Sequence, residues 1–269
     1  MLTGPSVPEL YNLQSCRLPL LVSVPHAGTA LPDTLDMQLS GAASTLPDTD
    51  WFVDRLVRWV PDIGAGLIVA NYSRYVVDLN RPPDDAALYQ GTTPGLVPRQ
   101  TFSGLPVYRD GEPDADAVRA RVKQYWWPYH HAIQRELDRL RQQFGYAILF
   151  DAHSIRSHVP RLFAGNLPDL NLGSFDGQSA GAGLLKVATG VLGNQHRYSH
   201  TLDGRFKGGY ITRHYGHPDQ HIHALQLEMS QTVYMHEDPP EYDPDAAARA
   251  CKLLKTLLLG LISWEPGHD

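Results

Sequence analysis

The sequence predicts an α/β fold, and three observations carry that reading. Short apolar runs closed by polar or breaker residues recur along the chain, segments of helical periodicity lie between them, and stretches rich in Gly, Pro and polar residues join the two. Apolar runs of roughly four to eight residues ended by a breaker read as buried strands, and strands alternating with helices pack as layers. The strand candidates are residues 20–24, 67–70, 75–79, 147–150, 162–164 and 224–229, with a further one near 210–212. Asp48-Thr49-Asp50 precedes a helical run over 51–59, where an Asp makes a good N-cap. The longest helical pattern spans 114–144, with Val118, Val122, Tyr125, Tyr129, Ile133, Leu137, Leu140 and Phe144 forming one apolar stripe. Pro128 is expected to kink or divide it. Two more helices are expected, at about 180–192 and 245–262. The long irregular stretches 81–114 and 195–221 are the natural walls or lids of a site.

Composition sets the bounds. The chain has 269 residues, 42% hydrophobic and 19% charged, a balance that buries a sizeable core and excludes intrinsic disorder. One domain over 1–269 is expected, since neither a repeat nor a Ser/Gly linker divides the chain. A net charge of -6 disfavours a broad nucleic-acid surface. Met1–Pro5 lacks a basic, apolar signal, and 253–261, interrupted by Lys255, falls short of the roughly 20 residues of a membrane span. Cys16 and Cys251 do not make a disulfide framework. The cytoplasm is the expected compartment.

Two of the apolar runs deliver a histidine at their ends, His26 and His153, and a third carries Glu228. Open α/β sheets bind ligands outside the carboxyl ends of their strands, and two imidazoles with a carboxylate are the raw material of a catalytic zinc site. The two histidines stand 127 positions apart with no HExxH motif to tie them together, so capping or core roles compete on pattern alone. Asp151, two residues before His153, is placed either to orient that imidazole or to make contact directly. A third ligand is sought among Asp48, Asp50 and Asp54; capping explains either of the first two, and pairing with Arg58 explains Asp54. Glu228 sits in an interior strand, where a buried carboxylate is costly without a role. A general base beside an activated water is one such role, and a buried salt bridge is the other.

Asn80-Arg81 closes another apolar run, and residues 204–216 add Arg205, Lys207 and Arg213 in glycine-rich backbone. Such local cations in an acidic chain point to an anionic ligand, because arginine forks onto carboxylates. Arg156 is a further candidate. Walker A and GxGxxG patterns are missing from the sequence, which disfavours nucleotide binding. His130 and His131 are expected to serve packing or solvation, and His221 and His223 to share a strand face near the pocket.

Val24-Pro25-His26-Ala27-Gly28, Asp48-Thr49-Asp50-Trp51, Tyr72-Ser73-Arg74, Asp78-Leu79-Asn80-Arg81-Pro82, Phe150-Asp151-Ala152-His153-Ser154-Ile155-Arg156, Asn171-Leu172-Gly173, Gly204-Arg205-Phe206-Lys207-Gly208-Gly209 and Gln226-Leu227-Glu228 together resemble the N-formylglutamate amidohydrolase family. Each motif is short, but their joint order over about residues 20–237 is specific. The resemblance extends to the wider group of zinc-dependent exopeptidase-like enzymes. It implies a three-layer α/β/α sandwich with a mixed, mostly parallel sheet. It also implies hydrolysis of N-formyl-L-glutamate to L-glutamate and formate, at the end of histidine degradation. Carried over by position, His26, Asp50 and His153 would hold one zinc ion, Glu228 would be the base, and Asn80-Arg81 would grip a substrate carboxylate. Thr29 stands where the wider group often has its carboxylate ligand, so Asp50 and Asp54 both stay open. A small carboxylate-bearing substrate is the expected partner, with neither nucleic acid nor membrane. A zinc amidase for another N-acyl amino acid and a non-catalytic binder of acidic metabolites are the competing readings.

Overall fold

The computed structural model describes residues 8–88 and 94–267; Met1–Pro5 and part of the 81–114 stretch lie outside the described residues. The chain opens with β1 (Tyr11–Gln14), β2 (Leu20–Val24), the short helices α1 (Asp33–Asp36) and α2 (Val53–Val57), and β3 (Gly66–Ala70). Then come α3 (Ala115–Arg121), a π-turn over Val122–Trp126, and α4 (Trp127–Phe144). The remainder is β4 (Ala147–Ile155), β5 (Leu170–Gly173), α5 (Ala182–Gly193), β6 (His200–Leu202), α6 (Tyr210–Tyr215), β7 (Ile222–Ser230), β8 (Met235–Glu237), β9 (Pro240–Tyr242) and α7 (Pro244–Ile262).

The main sheet has the order β1-β3-β2-β4-β7-β5-β6. Its centre, β3, β2, β4 and β7, is parallel, whereas β1 runs antiparallel to β3 and β5 antiparallel to β7. This is the mixed, mostly parallel sheet that the sequence leads one to expect. Alternate side chains leave opposite faces of a strand, which splits the apolar residues into two cores. Leu20, Val22, Ile148, Phe150, Leu225 and Leu227 pack with α2, α5 and α7. Leu21, Ile68, Ala147, Leu149, Ile222 and Ala224 pack with α4 and α6. Helices therefore cover both faces.

Parity carries the second face into the site. Ser23, Asp151, His153, Gln226 and Glu228 continue, toward the carboxyl ends of their strands, the rows begun by Leu21, Leu149 and Ala224. The register sets Asp151 opposite Gln226 and His153 opposite Glu228.

Three strand expectations are corrected. Residues 75–79 are buried but turn instead of pairing, with Asp78 N–H donating to Leu96 O at 2.7 Å. Their apolar content fills the second core without needing a ladder. Residues 162–164 form a turn closed on Val159 O, inside a small cluster with Ile155, Leu167 and Phe206. Residues 210–212 begin α6. The expected capping of α2 by Asp48 or Asp50 is also absent: Phe52 holds the N-cap position, and no side chain caps it. Asp114 does cap α3, accepting from Ala117 N–H at 2.8 Å. Pro128 has no N–H to give the preceding turn, and the helix widens into its π-turn just before it. Cys16 and Cys251 are both free thiols, and no helix among the described residues is long and apolar enough to cross a membrane.

Candidate active site

His26 lies just past β2, His153 near the end of β4, and Asp50 in the loop before α2. That loop is tightly fixed. Leu46 and Phe52 adopt left-handed φ values of 51° and 62°, uncommon for bulky residues, and Asp50 N–H donates to His26 O at 3.1 Å. The result places one ligand-capable atom from each of His26, Asp50 and His153 within 4.8 Å of one another, all three residues being buried. Asp54, the alternative carboxylate, is exposed on α2 and is not part of this group.

Each imidazole is held by a second carboxylate. His26 Nε2 lies 2.8 Å from Asp78 Oδ1, which leaves Nδ1 buried with no hydrogen-bond partner, 3.8 Å from Asp50 Oδ2. His153 Nε2 lies 2.7 Å from Asp151 Oδ2, and its Nδ1 lies 3.0 Å from Asp50 Oδ2. Asp151 also accepts from Ser23 Oγ at 2.8 Å. Asp151 thus fixes the orientation of the His153 ring, an arrangement common to imidazoles that ligate metals. Arg74 closes the far side, donating to Asp78 Oδ2 at 2.6 Å and standing 3.5 Å from Asp50 Oδ1.

The electrostatics follow from this packing. Burial pushes the Asp50 carboxyl up, but His153, His26 and Arg74 outweigh it and hold the group below its ordinary value. For Asp78, burial again raises and Arg74 and His26 win, well below the carboxylate range. Burial lowers His153, yet Asp151 and Asp50 together lift it well above the usual imidazole value. Burial and Arg74 lower His26 against the pull of Asp78 and Asp50. For Glu228, burial together with the Asp50 and Asp151 carboxylates outweighs His153 and Arg74, and its carboxyl is pushed up to about 8.

The orphaned Nδ1 of His26 tests whether this cluster suits a metal ion. A buried nitrogen without a partner is costly, and it faces a carboxylate and a second Nδ1 whose far nitrogen is already fixed. Bonds from zinc to nitrogen and oxygen are about 2.0–2.2 Å, so atoms no farther apart than 4.8 Å suit a single centre. Arg74 pairs with Asp78, and the ionised Asp50 carboxylate beside the two imidazoles is a donor that suits a divalent cation. The donor set fits.

The cleft over this cluster is lined on its polar side by Asn80, Arg81, Arg205, Gln226 and Glu228, and on its apolar side by Phe102, Ile155, Leu162 and Phe206. Both long irregular stretches thus contribute walls. Arg81 is braced by Nε donating to Pro94 O at 2.8 Å and Nη1 to Asn80 O at 2.9 Å. Arg205 is braced by Leu162 O at 2.7 Å. Asn80 reaches the cleft, but its carboxamide oxygen accepts from Ile211 N–H at 2.8 Å and its amide nitrogen lies 3.3 Å from Asp151. A Cβ on Gly209 would fall 2.4 Å from that amide nitrogen, so the residue there must be small.

The other cation candidates lie elsewhere. Arg156 pairs with Asp238, Lys207 donates to Asp176 at 2.7 Å, and Arg213 donates to Gly208 O and Leu88 O while covering the Phe175 ring. None of the three lines the cleft among the described residues. His223 sits toward the opposite end of β7 beside Trp264, and His221 precedes that strand. The sequence reading gave no role to Arg74, Asp78 or Gln226. The signal for the first two was present, because a cation and an anion four positions apart in an apolar run mark a buried pair.

The family model described as N-formylglutamate amidohydrolase matches residues 18–235. The chain belongs to this family. The N-formylglutamate deformylase of Pseudomonas putida is 51% identical over 258 residues, covering 95% of this chain and 97% of that relative. The N-formylglutamate deformylase of Pseudomonas aeruginosa is 48% identical, with the same coverage. Among solved structures, the N-formylglutamate amidohydrolase of Ralstonia eutropha JMP134 matches at a TM-score of 0.79 and 24% identity, over 94% of this chain and 95% of that one. A gene product of Agrobacterium tumefaciens matches at 0.74 and 15% identity, over 95% and 96%. These two likenesses show the fold. Every residue lining the cleft falls inside the span matched by the N-formylglutamate amidohydrolase family, whereas α7 lies beyond it.

Proposed function

We propose that this chain hydrolyses N-formyl-L-glutamate to L-glutamate and formate, using one divalent metal ion held by His26, Asp50 and His153. The names of two relatives about half identical over nearly the whole chain support the substrate. The observation that carries the chemistry is the orphaned His26 Nδ1, turned toward Asp50 and within reach of His153, with Glu228 lining the same cleft. Buried imidazole and carboxylate donors suit zinc, which supplies Lewis acidity toward a carbonyl and toward an attacking water.

The chain's own groups account for the remaining steps. Glu228 takes a proton from the attacking water as its oxygen bonds to the formyl carbon. When the C–N bond breaks, the same carboxyl returns that proton to the leaving amine. A carboxyl with a raised pKa is matched to both transfers near neutral pH. Arg81, on the wall of the cleft, reads one substrate carboxylate and favours the negative charge that develops on the formyl oxygen. Arg205 reads the second carboxylate. The Phe102, Leu162 and Phe206 wall limits water and strengthens these contacts. We further propose that this reaction closes histidine degradation and that the chain works in the cytoplasm.

Formate release from N-formylglutamate is the test, measured before chelation, after it, and after zinc is restored. Activity should vanish and return, and Glu228→Gln should lower kcat by roughly 10²–10⁴-fold with metal retained. Turnover indifferent to chelation would overturn the metal reading, and equal turnover of a formylated neutral amino acid would overturn the substrate.

A further inference from the structure

Asp78, Asn80 and Arg81 all serve the site, yet they stand on a turn and not on a strand, so no ladder fixes their backbone. The carbonyls of that turn are held from outside. His130 Nε2 lies 2.8 Å from Leu79 O, Tyr210 N–H donates to Asn80 O at 3.3 Å, and Trp126 Nε1–H donates to Arg81 O at 2.9 Å. Because a carbonyl only accepts, His130 carries its hydrogen on Nε2, and the Tyr215 hydroxyl, with one hydrogen to give, lies 2.9 Å from its Nδ1 and 3.0 Å from its carbonyl oxygen. Burial lowers this imidazole to about 3, so it stays neutral and keeps that tautomer.

Trp126 and His130 act as one unit. Their rings stack at 3.6 Å and 20°, and both are buried. Trp126 closes the π-turn, and His130 follows in the first turns of α4. A π-turn inserts a residue and re-aims the side chains around it, and such turns cluster at functional sites. Here the re-aimed pair meets the Asp78–Arg81 turn.

We propose that Trp126 and His130 are positioning residues, whose two ring N–H groups clamp the carbonyls of Arg81 and Leu79 and so aim the side chains of that turn at the site. The kinetic consequence rests on the function proposed above; the clamp itself does not. Packing alone would ask only for two flat rings, whereas the clamp requires the N–H groups.

The test keeps the rings and removes the donors. Trp126→Phe and His130→Phe should each speed amide hydrogen exchange at residues 78–81, leaving β2, β4 and β7 protected. Each should also lower kcat/KM for N-formylglutamate by roughly three- to tenfold, the worth of one hydrogen bond, with metal content retained. His130→Gln, whose amide can reach Leu79 O, should recover most of the loss. Should Trp126→Phe fold poorly, benzothienylalanine at 126 keeps the indole shape with sulfur in place of N–H. Wild-type exchange at 78–81 in the donor-less variants overturns the proposal, as does protection lost evenly over the sheet or a glutamine that restores nothing. If the wild-type chain releases no formate from N-formylglutamate, the substrate reading fails, and the exchange arm alone decides the clamp.

Discussion

Three arginines line the cleft: Arg74 pairs with Asp78, whereas Arg81 donates to the carbonyls of Pro94 and Asn80, and Arg205 to that of Leu162. A carbonyl fixes a guanidinium in place without neutralising it, which keeps the charge available to a carboxylate. Lys207 and Arg213 belong to the same glycine-rich segment as Arg205 but are turned toward Asp176 and toward backbone. Arg205→Ala should therefore cost selectivity for N-formylglutamate over a formylated neutral amino acid by tenfold or more. Lys207→Ala and Arg213→Ala should leave that ratio near wild type, which a two-substrate kinetic panel measures. The three were indistinguishable in the sequence, because spacing on a loop says nothing of direction. His26, His153 and Glu228 were legible for the opposite reason: strand ends and strand parity have only a few outcomes, and a charge inside an apolar run stands out.

Among the elements, the long helix shows how local chemistry and tertiary role diverge. Its apolar stripe and its proline were readable, and the division fell beside Pro128 as the missing N–H requires. What pattern could not convey is that Trp126 and His130 face a turn of the site, since the 75–79 run has the composition of a strand. The fate of His130 has a pH signature. Its folded-state pKa, about 3, lies below the ordinary imidazole value of 6.5. The unfolded chain thus binds more protons between those limits, and the stability contributed by burying the neutral ring is full above 6.5 and lost as pH falls toward 3. His130→Gln, with nothing to protonate there, should show a shallower decline of stability across that window. Chemical denaturation of both proteins at pH 7 and pH 5 measures it: the wild type should lose the larger share.

On the scale of the whole molecule, one sheet supports two unlike faces. The α2, α5 and α7 side is mainly apolar, with Ser154 and His223 as isolated buried polar residues, whereas the α4 and α6 side grades from apolar residues into a buried polar cluster at the carboxyl ends of β2, β4 and β7. Buried carboxylates such as Asp50 and Glu228 weaken a fold unless they are compensated, so the cluster is a place where function opposes stability. A ligand that binds only the folded chain stabilises it by RT ln(1 + [L]/Kd). A divalent ion at His26, Asp50 and His153 should accordingly act on the entire sheet and not on a loop alone, because its ligands come from the ends of β2 and β4 and the loop packed against them. Removing it should lower Tm by several degrees, and restoring zinc should recover the loss. His153→Ala should lower Tm and, more tellingly, make it insensitive to chelator and zinc alike. Calorimetric melts of both proteins, with and without chelator, decide the matter. A variant that still responds to zinc as the wild type does would place the ion away from His153 and detach the stabilising effect from this end of the sheet.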